Sequence, residues 1–393
     1  MGSVVIDRRG FELLIAALQS RDYKVVAPTA RDGAIAYDEI GGVSDLPAGL
    51  TDEQEAGSYR LWCRDDDALF GYAVGPQSWK RYLFEPKTVV FRAQRVERVG
   101  FVRAGPSDAA PRYAFVGVRS CEIAAIGIQD RVFLGGSHAD PHYRARRDAF
   151  IVAVQCGEPG GTCFCASMRT GPRAEAGFDL ALTEIVAGDR HEFVVEVGSS
   201  RGDDLLGQVP SRPADSSDLG AARAVTDSAS ERMGRRLDAD GLPERLAAVL
   251  EHSHWDQVAS RCLGCTSCTL VCPTCFCSRV SDTTDLKGLE ATRTRTWDSC
   301  FTLGHSYLHG GSVRSTIRDR YRQWLTHKLS TWVAQFGTSG CVGCGRCITW
   351  CPVGIDITVE VQALLAPLGP GRPTVSPGAG APVEPAAPAE VPR

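Results

Sequence analysis

Apolar and polar positions change their period several times along the chain, and each change marks a predicted element. Phe11 to Leu18 repeats apolar residues at helical spacing. Lys24-Val25-Val26-Ala27-Pro28 and Ala34-Ile35-Ala36-Tyr37 flank Arg31-Asp32-Gly33, the pattern of a hairpin. Thr88-Val89-Val90-Phe91 is a further strand. Tyr113 to Val118 and Ala149 to Val154 are continuous apolar runs, which predicts strands buried on both faces. A helix is predicted to start at Cys121-Glu122-Ile123-Ala124-Ala125-Ile126 between them, so strand, helix and strand form a parallel α/β unit. Leu180 to Val186 and Glu192 to Val197 read as a second hairpin about Gly188-Asp189. Farther on, Leu242 to Glu251 is a helix, and Ser315 to Thr331 places Ile317, Tyr321, Trp324 and Leu325 on one helical face. That helix also carries Arg314, Arg318, Arg320, Arg322 and Lys328.

These elements predict an α+β protein. Residues 1–205 form a mixed α/β domain and 206–245 a polar, alanine-rich linker and helix. Residues 246–366 form an α-helical dicluster ferredoxin-like domain, with its sites between helices. Residues 367–393, rich in Pro, Gly and Ala without periodicity, form a disordered tail.

The chemistry sits in cysteines. Cys262-x-x-Cys265-x-x-Cys268-x-x-x-Cys272-Pro273 and Cys341-x-x-Cys344-x-x-Cys347-x-x-x-Cys351-Pro352 share one spacing. It is the bacterial-ferredoxin pattern for a [4Fe–4S] cube, in which three thiolates wrap one cluster and the fourth ligates the other. The expected ligand sets are therefore Cys262, Cys265, Cys268 and Cys351 for one cube, and Cys341, Cys344, Cys347 and Cys272 for the second. Proline after each fourth cysteine cannot continue a helix and turns the chain away. Paired zinc knuckles are the alternative, but they give no reason for the fourth Cys-Pro. Glycines 264, 343 and 345 permit the tight wrap and offer N–H groups to sulfur.

Cys121 at a strand-to-helix turn, Cys156 after the next strand, and Cys163 and Cys165 after Gly160-Gly161 form another group. Adjacent strands would bring them together at one sheet end, the usual place for a site in an open α/β sheet. They are candidate ligands for a third [4Fe–4S] cluster; zinc and unligated buried thiols are the competing readings. Cys275, Cys277 and Cys300 are either alternate ligands, S–H donors to cluster sulfurs, or buried small side chains. Cys63 stands alone and reads as structural. His252, His254, His305 and His309 read as ordinary surface or capping residues.

Composition narrows the class. Sixteen cysteines in 393 residues, with no secretory leader visible, favour metal sites over disulfides and a reduced, cytoplasmic setting. A net charge of −4 gives no basic excess for nucleic acid. No run of about 18 apolar residues is present to span a membrane. No Gly-x-Gly-x-x-Gly opens a helix after a strand and no Walker loop is present, so a nucleotide site on this chain is unsupported. Clusters without an organic active site imply a chain that moves electrons for a partner.

Five segments taken in order carry a resemblance: Phe115-Val116-Gly117-Val118-Arg119-Ser120-Cys121-Glu122, Gly161-Thr162-Cys163-Phe164-Cys165, the first run ending in Cys272-Pro273-Thr274-Cys275-Phe276-Cys277, Trp297-Asp298-Ser299-Cys300, and the second run. The chain resembles the beta subunits of NAD(P)-linked [NiFe] hydrogenases, or sulfhydrogenases, and is similar to the A subunit of anaerobic sulfite reductase. The resemblance spans roughly residues 80 to 360. Ser120 and Glu122 stand where the family usually has proline and aspartate. It implies a non-catalytic electron-transfer subunit of a soluble, hetero-oligomeric oxidoreductase. A flavin (FAD) subunit that binds NAD(P) and the hydrogenase small and large subunits, the large one holding the NiFe centre, would be its partners. A sirohaem subunit would replace them in a sulfite reductase. A redox sensor or scaffold held folded by its clusters is the reading of a different class, and direct sulfur reduction at Cys275, Cys277 and Cys300 is another.

Overall fold

The computed structural model describes residues 2–103, 110–188 and 190–366. The predicted tail, 367–393, and Asp189 lie outside the described residues.

An eight-stranded sheet organises the first half. Its spatial order is Arg212–Pro213, Val4–Asp7, Arg190–Val197, Leu180–Ala187, Phe150–Val154, Tyr113–Val118, Lys24–Arg31 and Ala34–Glu39. The four central strands, from Leu180–Ala187 to Lys24–Arg31, pair in parallel, and both predicted hairpins close antiparallel against them. Parallel strands are covered on both faces, which explains their unbroken apolar runs. On one face, the helix Arg8–Ser20 buries Phe11, Leu14, Ile15 and Leu18 against Val116, Val152, Leu182 and Phe193. The helix Ser216–Glu231, in the segment expected to be a linker and helix, packs Ala222 near Val5, Ile185 and Val194.

The strand Tyr113–Val118 ends in a bulge. Its register shifts between Val116 and Val118, and Gly117 takes φ +88°. A Cβ there would lie 2.9 Å from the Pro28 ring and 3.1 Å from Phe70. This bend delivers Arg119, Ser120 and Cys121 to the start of the helix Ser120–Leu134. Gly117→Ala will cost about 1–3 kcal/mol, from left-handed backbone strain and this collision, read as a fall in the unfolding midpoint.

The segment between the cysteine runs corrects the expectation of a helical spacer. Ser278–Thr284 and Glu290–Trp297 form a hairpin, paired on to Lys87–Val96 and Gly100–Arg103 in a separate four-stranded sheet. The expected strand at Thr88 is present, but its partner comes from the second half of the chain. After one 3-10 turn at Leu303–Ser306, an α-helix spans Ile317–Thr326, continues as a π-helical turn over His327–Thr331, and ends with Trp332–Phe336. Around it Trp255, Tyr321, Trp324, Leu325 and Ile348 form a second core. Among the described residues no helix is long and apolar enough to cross a membrane.

Candidate metal centres

The repeat in the sequence becomes a repeat in the backbone. Gly264 and Gly343 take φ +62° and +64°, and Thr266 and Gly345 take φ +70° and +74°. Each run then enters a single helical turn, Ser267–Leu270 or Arg346–Thr349. In both, the glycine N–H donates to the sulfur two residues earlier, Gly264 to Cys262 and Gly343 to Cys341, each at 3.4 Å. Such bonds stabilise negative charge on a ligand sulfur. Gly345 makes no such bond; it caps the turn, and a Cβ there would lie 2.4 Å from the Thr162 hydroxyl.

Cys262, Cys265, Cys268 and Cys351 ring one cavity, with Phe301, Tyr321, Trp324 and Ile355 in its wall. Cys351, from the second run, lies beside Cys262 and Cys268. Conversely, Cys272 from the first run is a charged neighbour of Cys341, Cys344 and Cys347. The fourth cysteine of each run thus crosses to the other three. Burial pushes Cys341 up to about 12 as a thiol. Cys272 behaves oppositely. A thiol hydrogen bond from Cys275 holds it well below the ordinary thiol range against its burial, aided by Lys328 and Thr274.

Cys121, Cys156, Cys163 and Cys165 ring another void, closed by Ala73, Val74, Pro159, Pro172 and Met233. Cys121 stands on the first turn of Ser120–Leu134, and Cys156 follows Phe150–Val154. The arms carrying Cys163 and Cys165 clip on to the second run: Phe164 N–H donates to Gly343 carbonyl at 2.8 Å. Only glycine fits at 343, because a Cβ would lie 2.6 Å from Phe164 carbonyl and 2.7 Å from Cys165 backbone. Burial pushes Cys121 well up, reinforced by Cys165 and Cys344. Helix-terminus stabilisation of a thiolate at Cys121 is therefore outweighed unless a metal takes the proton's place. Among the described residues no three His, Cys, Asp or Glu side chains are drawn together for a single ion. The thiols instead surround voids, and all-sulfur donor sets of this kind suit an iron–sulfur cube.

A charged network missed by sequence reasoning joins the thiol sets. Arg346 and Glu122 are both buried and pair at 2.5 Å. Glu122 also accepts from Tyr37 hydroxyl, Trp79 Nε1 and the Arg119 N–H. Arg346 Nε donates to the carbonyls of Gly75 and Gln77, while its Nη1 finds no oxygen or nitrogen acceptor and the guanidinium lies against Cys344. An unpartnered buried donor beside a cysteine fits a sulfur ligand to metal. From the first half of the chain, Lys80 reaches over Trp297 to the carbonyls of Leu270, Cys272 and Cys275. Lys328, expected on a basic helix surface, is buried beside Cys272. Three other basic residues of that helix are engaged within the chain: Arg318 and Arg322 pair with Glu251, and Arg320 donates to Phe301 carbonyl.

The remaining thiols separate. Cys275 donates towards Cys272 Sγ. Cys277 bonds to Cys300 and then to His305, and is pulled down to about 4. His305 is thus not an ordinary surface residue. His254 pairs with Glu360 at 2.6 Å. Cys63 is exposed on the strand Ser58–Cys63, not a structural core thiol.

Two thiol runs exchanging their fourth cysteines, on short helices against an α/β sheet, define an iron–sulfur protein of the dicluster class. Residues 261–355 match the 4Fe–4S dicluster domain family. Over 281 residues, 70% of this chain and 79% of the other, the sequence is 34% identical to Sulfhydrogenase 2 subunit beta of Pyrococcus furiosus. No solved structure matches. The chain belongs to the sulfhydrogenase beta-subunit family.

Proposed function

We propose that this chain is a non-catalytic electron-transfer subunit in which three [4Fe–4S] cubes form a line. Cys262, Cys265, Cys268 and Cys351 hold the first; Cys341, Cys344, Cys347 and Cys272 the middle one; and Cys121, Cys156, Cys163 and Cys165 the third. The observation that carries this reading is continuity. Cys344 neighbours Cys121, Cys163 and Cys165 on one side, while Cys347 lines the first cavity on the other. A bound cube supplies one-electron storage and release at low potential. The protein's part is to hold the sulfurs, donate N–H bonds from Gly264 and Gly343, and exclude water with Phe301, Tyr321 and Trp324. The partners are a flavin subunit binding NAD(P)H and a [NiFe] hydrogenase module of small and large subunits, in keeping with the relative's name as a sulfhydrogenase subunit.

The test uses the assembled complex. Cys344→Ala will abolish hydrogen-driven reduction of NAD(P)+ and leave hydrogen-driven reduction of a viologen dye by the hydrogenase module unchanged. NAD(P)+ reduction at the parental rate would remove this chain from the electron path.

A further inference from the structure

Lys328 is a buried cation without a carboxylate. It is 3% exposed, and Nζ donates to Cys272 Sγ at 3.2 Å, Thr274 hydroxyl at 3.1 Å and Gly340 carbonyl at 3.2 Å. These use all three ammonium protons, and none goes to an acid. A buried ammonium is expensive unless a negative charge faces it. The ionisable groups that face it are the cysteine side chains of Cys272, Cys275 and Cys341, which become anionic when they ligate metal. The backbone is shaped for this contact. Lys328 lies in the π-helical turn His327–Thr331, an insertion that redirects a side chain and is frequent at functional sites. By contrast, Arg346 on the opposite side at Cys344 is paired with Glu122, so much of its charge is met within the protein. Among the described residues no lysine or arginine lines the wall of the first cavity.

We propose that Lys328 is the built-in counter-ion of the cube held by Cys272, Cys341, Cys344 and Cys347, and that it makes this middle cube the electron sink of the chain. The inference rests on the ligand assignment above. Reduction adds one electron to the cube and neither makes nor breaks a bond. The added negative charge is stabilised by an ammonium 3.2 Å from a ligand sulfur in a low-dielectric interior. The reduced state is favoured and the midpoint potential rises, since net charge and hydrogen bonds to sulfur tune such potentials. Lys328 acts through Cys272 and is a positioning residue. An electron entering from either flanking cube would rest at the centre until a second arrives or an acceptor docks.

The experiment is an EPR-monitored redox titration of the anaerobically purified full chain. Cys341→Ser and Cys262→Ser first identify the signals of the middle and first cubes by their loss. In the parent, the middle signal will titrate at the higher potential. Lys328→Gln will move that signal alone to lower potential, and Lys328→Arg will restore it. A Lys328→Gln chain with full iron and an unshifted middle signal overturns the proposal. Should Lys328→Gln not take up iron, the parent decides: a middle signal titrating at or below the first cube overturns it equally. Fewer than about eight irons per parent chain would instead overturn the ligand assignment, four irons being needed per cube.

Discussion

Anaerobically purified, the chain will contain about twelve irons and as many acid-labile sulfides, and exchanging Cys163 and Cys165 for serine will reduce both to about eight, four for each cube retained. The expectation follows from the void ringed by Cys121, Cys156, Cys163 and Cys165, whose walls are apolar apart from Arg119 and Ser120. Arg119 is spent on the carbonyls of Phe70, Tyr72 and Gln155, and Ser120 on those of Thr170 and Arg173, so neither competes as a ligand. Two of the four thiols leave together in the double variant, which removes alternate ligation by a single serine. The two ferredoxin-type sites draw no ligand from residues 163 and 165, and their EPR signals will persist. A parental count of about eight, unchanged by the substitutions, would return these four to the status of buried thiols.

The second large effect falls on the protein core. Glu122→Ala will destabilise the iron-loaded chain by about 3–5 kcal/mol, the usual loss when one partner of a buried ion pair is removed. It strips the acceptor from Arg346, Tyr37 hydroxyl, Trp79 Nε1 and the Arg119 N–H at once. Arg346 would be left as an uncompensated charge at 0% exposure. The measurement is the denaturant midpoint under anaerobic conditions. Asp282→Ala, which breaks a similar-looking pair with Arg293 on an exposed hairpin, will leave that midpoint in place. Equal effects of the two substitutions would refute the buried-pair argument.

Legibility in the sequence followed burial. Tyr113–Val118 and Phe150–Val154 announce themselves because parallel strands bury every position. The cysteine runs are legible because cube geometry dictates spacing, and their left-handed positions at Gly264 and Gly343 follow from it. The hairpin Ser278–Trp297 was hidden. Its strands are polar on both faces, and its partner, Lys87–Val96, lies far away in the chain. Thr292, Thr294 and Thr296 alternating with Arg293 and Arg295, and the turn at Gly288, were the available signal. Glu122, Arg346 and Lys328 escaped because charged side chains are ordinarily exposed. Only Lys328 carried a hint, continuing the stripe of Tyr321, Trp324 and Leu325 at helical spacing.

The crossing of Cys272 and Cys351 has a consequence for assembly. On the proposed ligand sets neither ferredoxin-type nest is completed by one run alone, so the first cube to arrive would recruit a strut from the distant run and in doing so half-build the berth for its neighbour. Oxidative loss of either cube would then release one tether of the other and leave its remaining three ligands in place. Damage in such an interlocked pair spreads inward from the rim, where Cys265 is the exposed thiol.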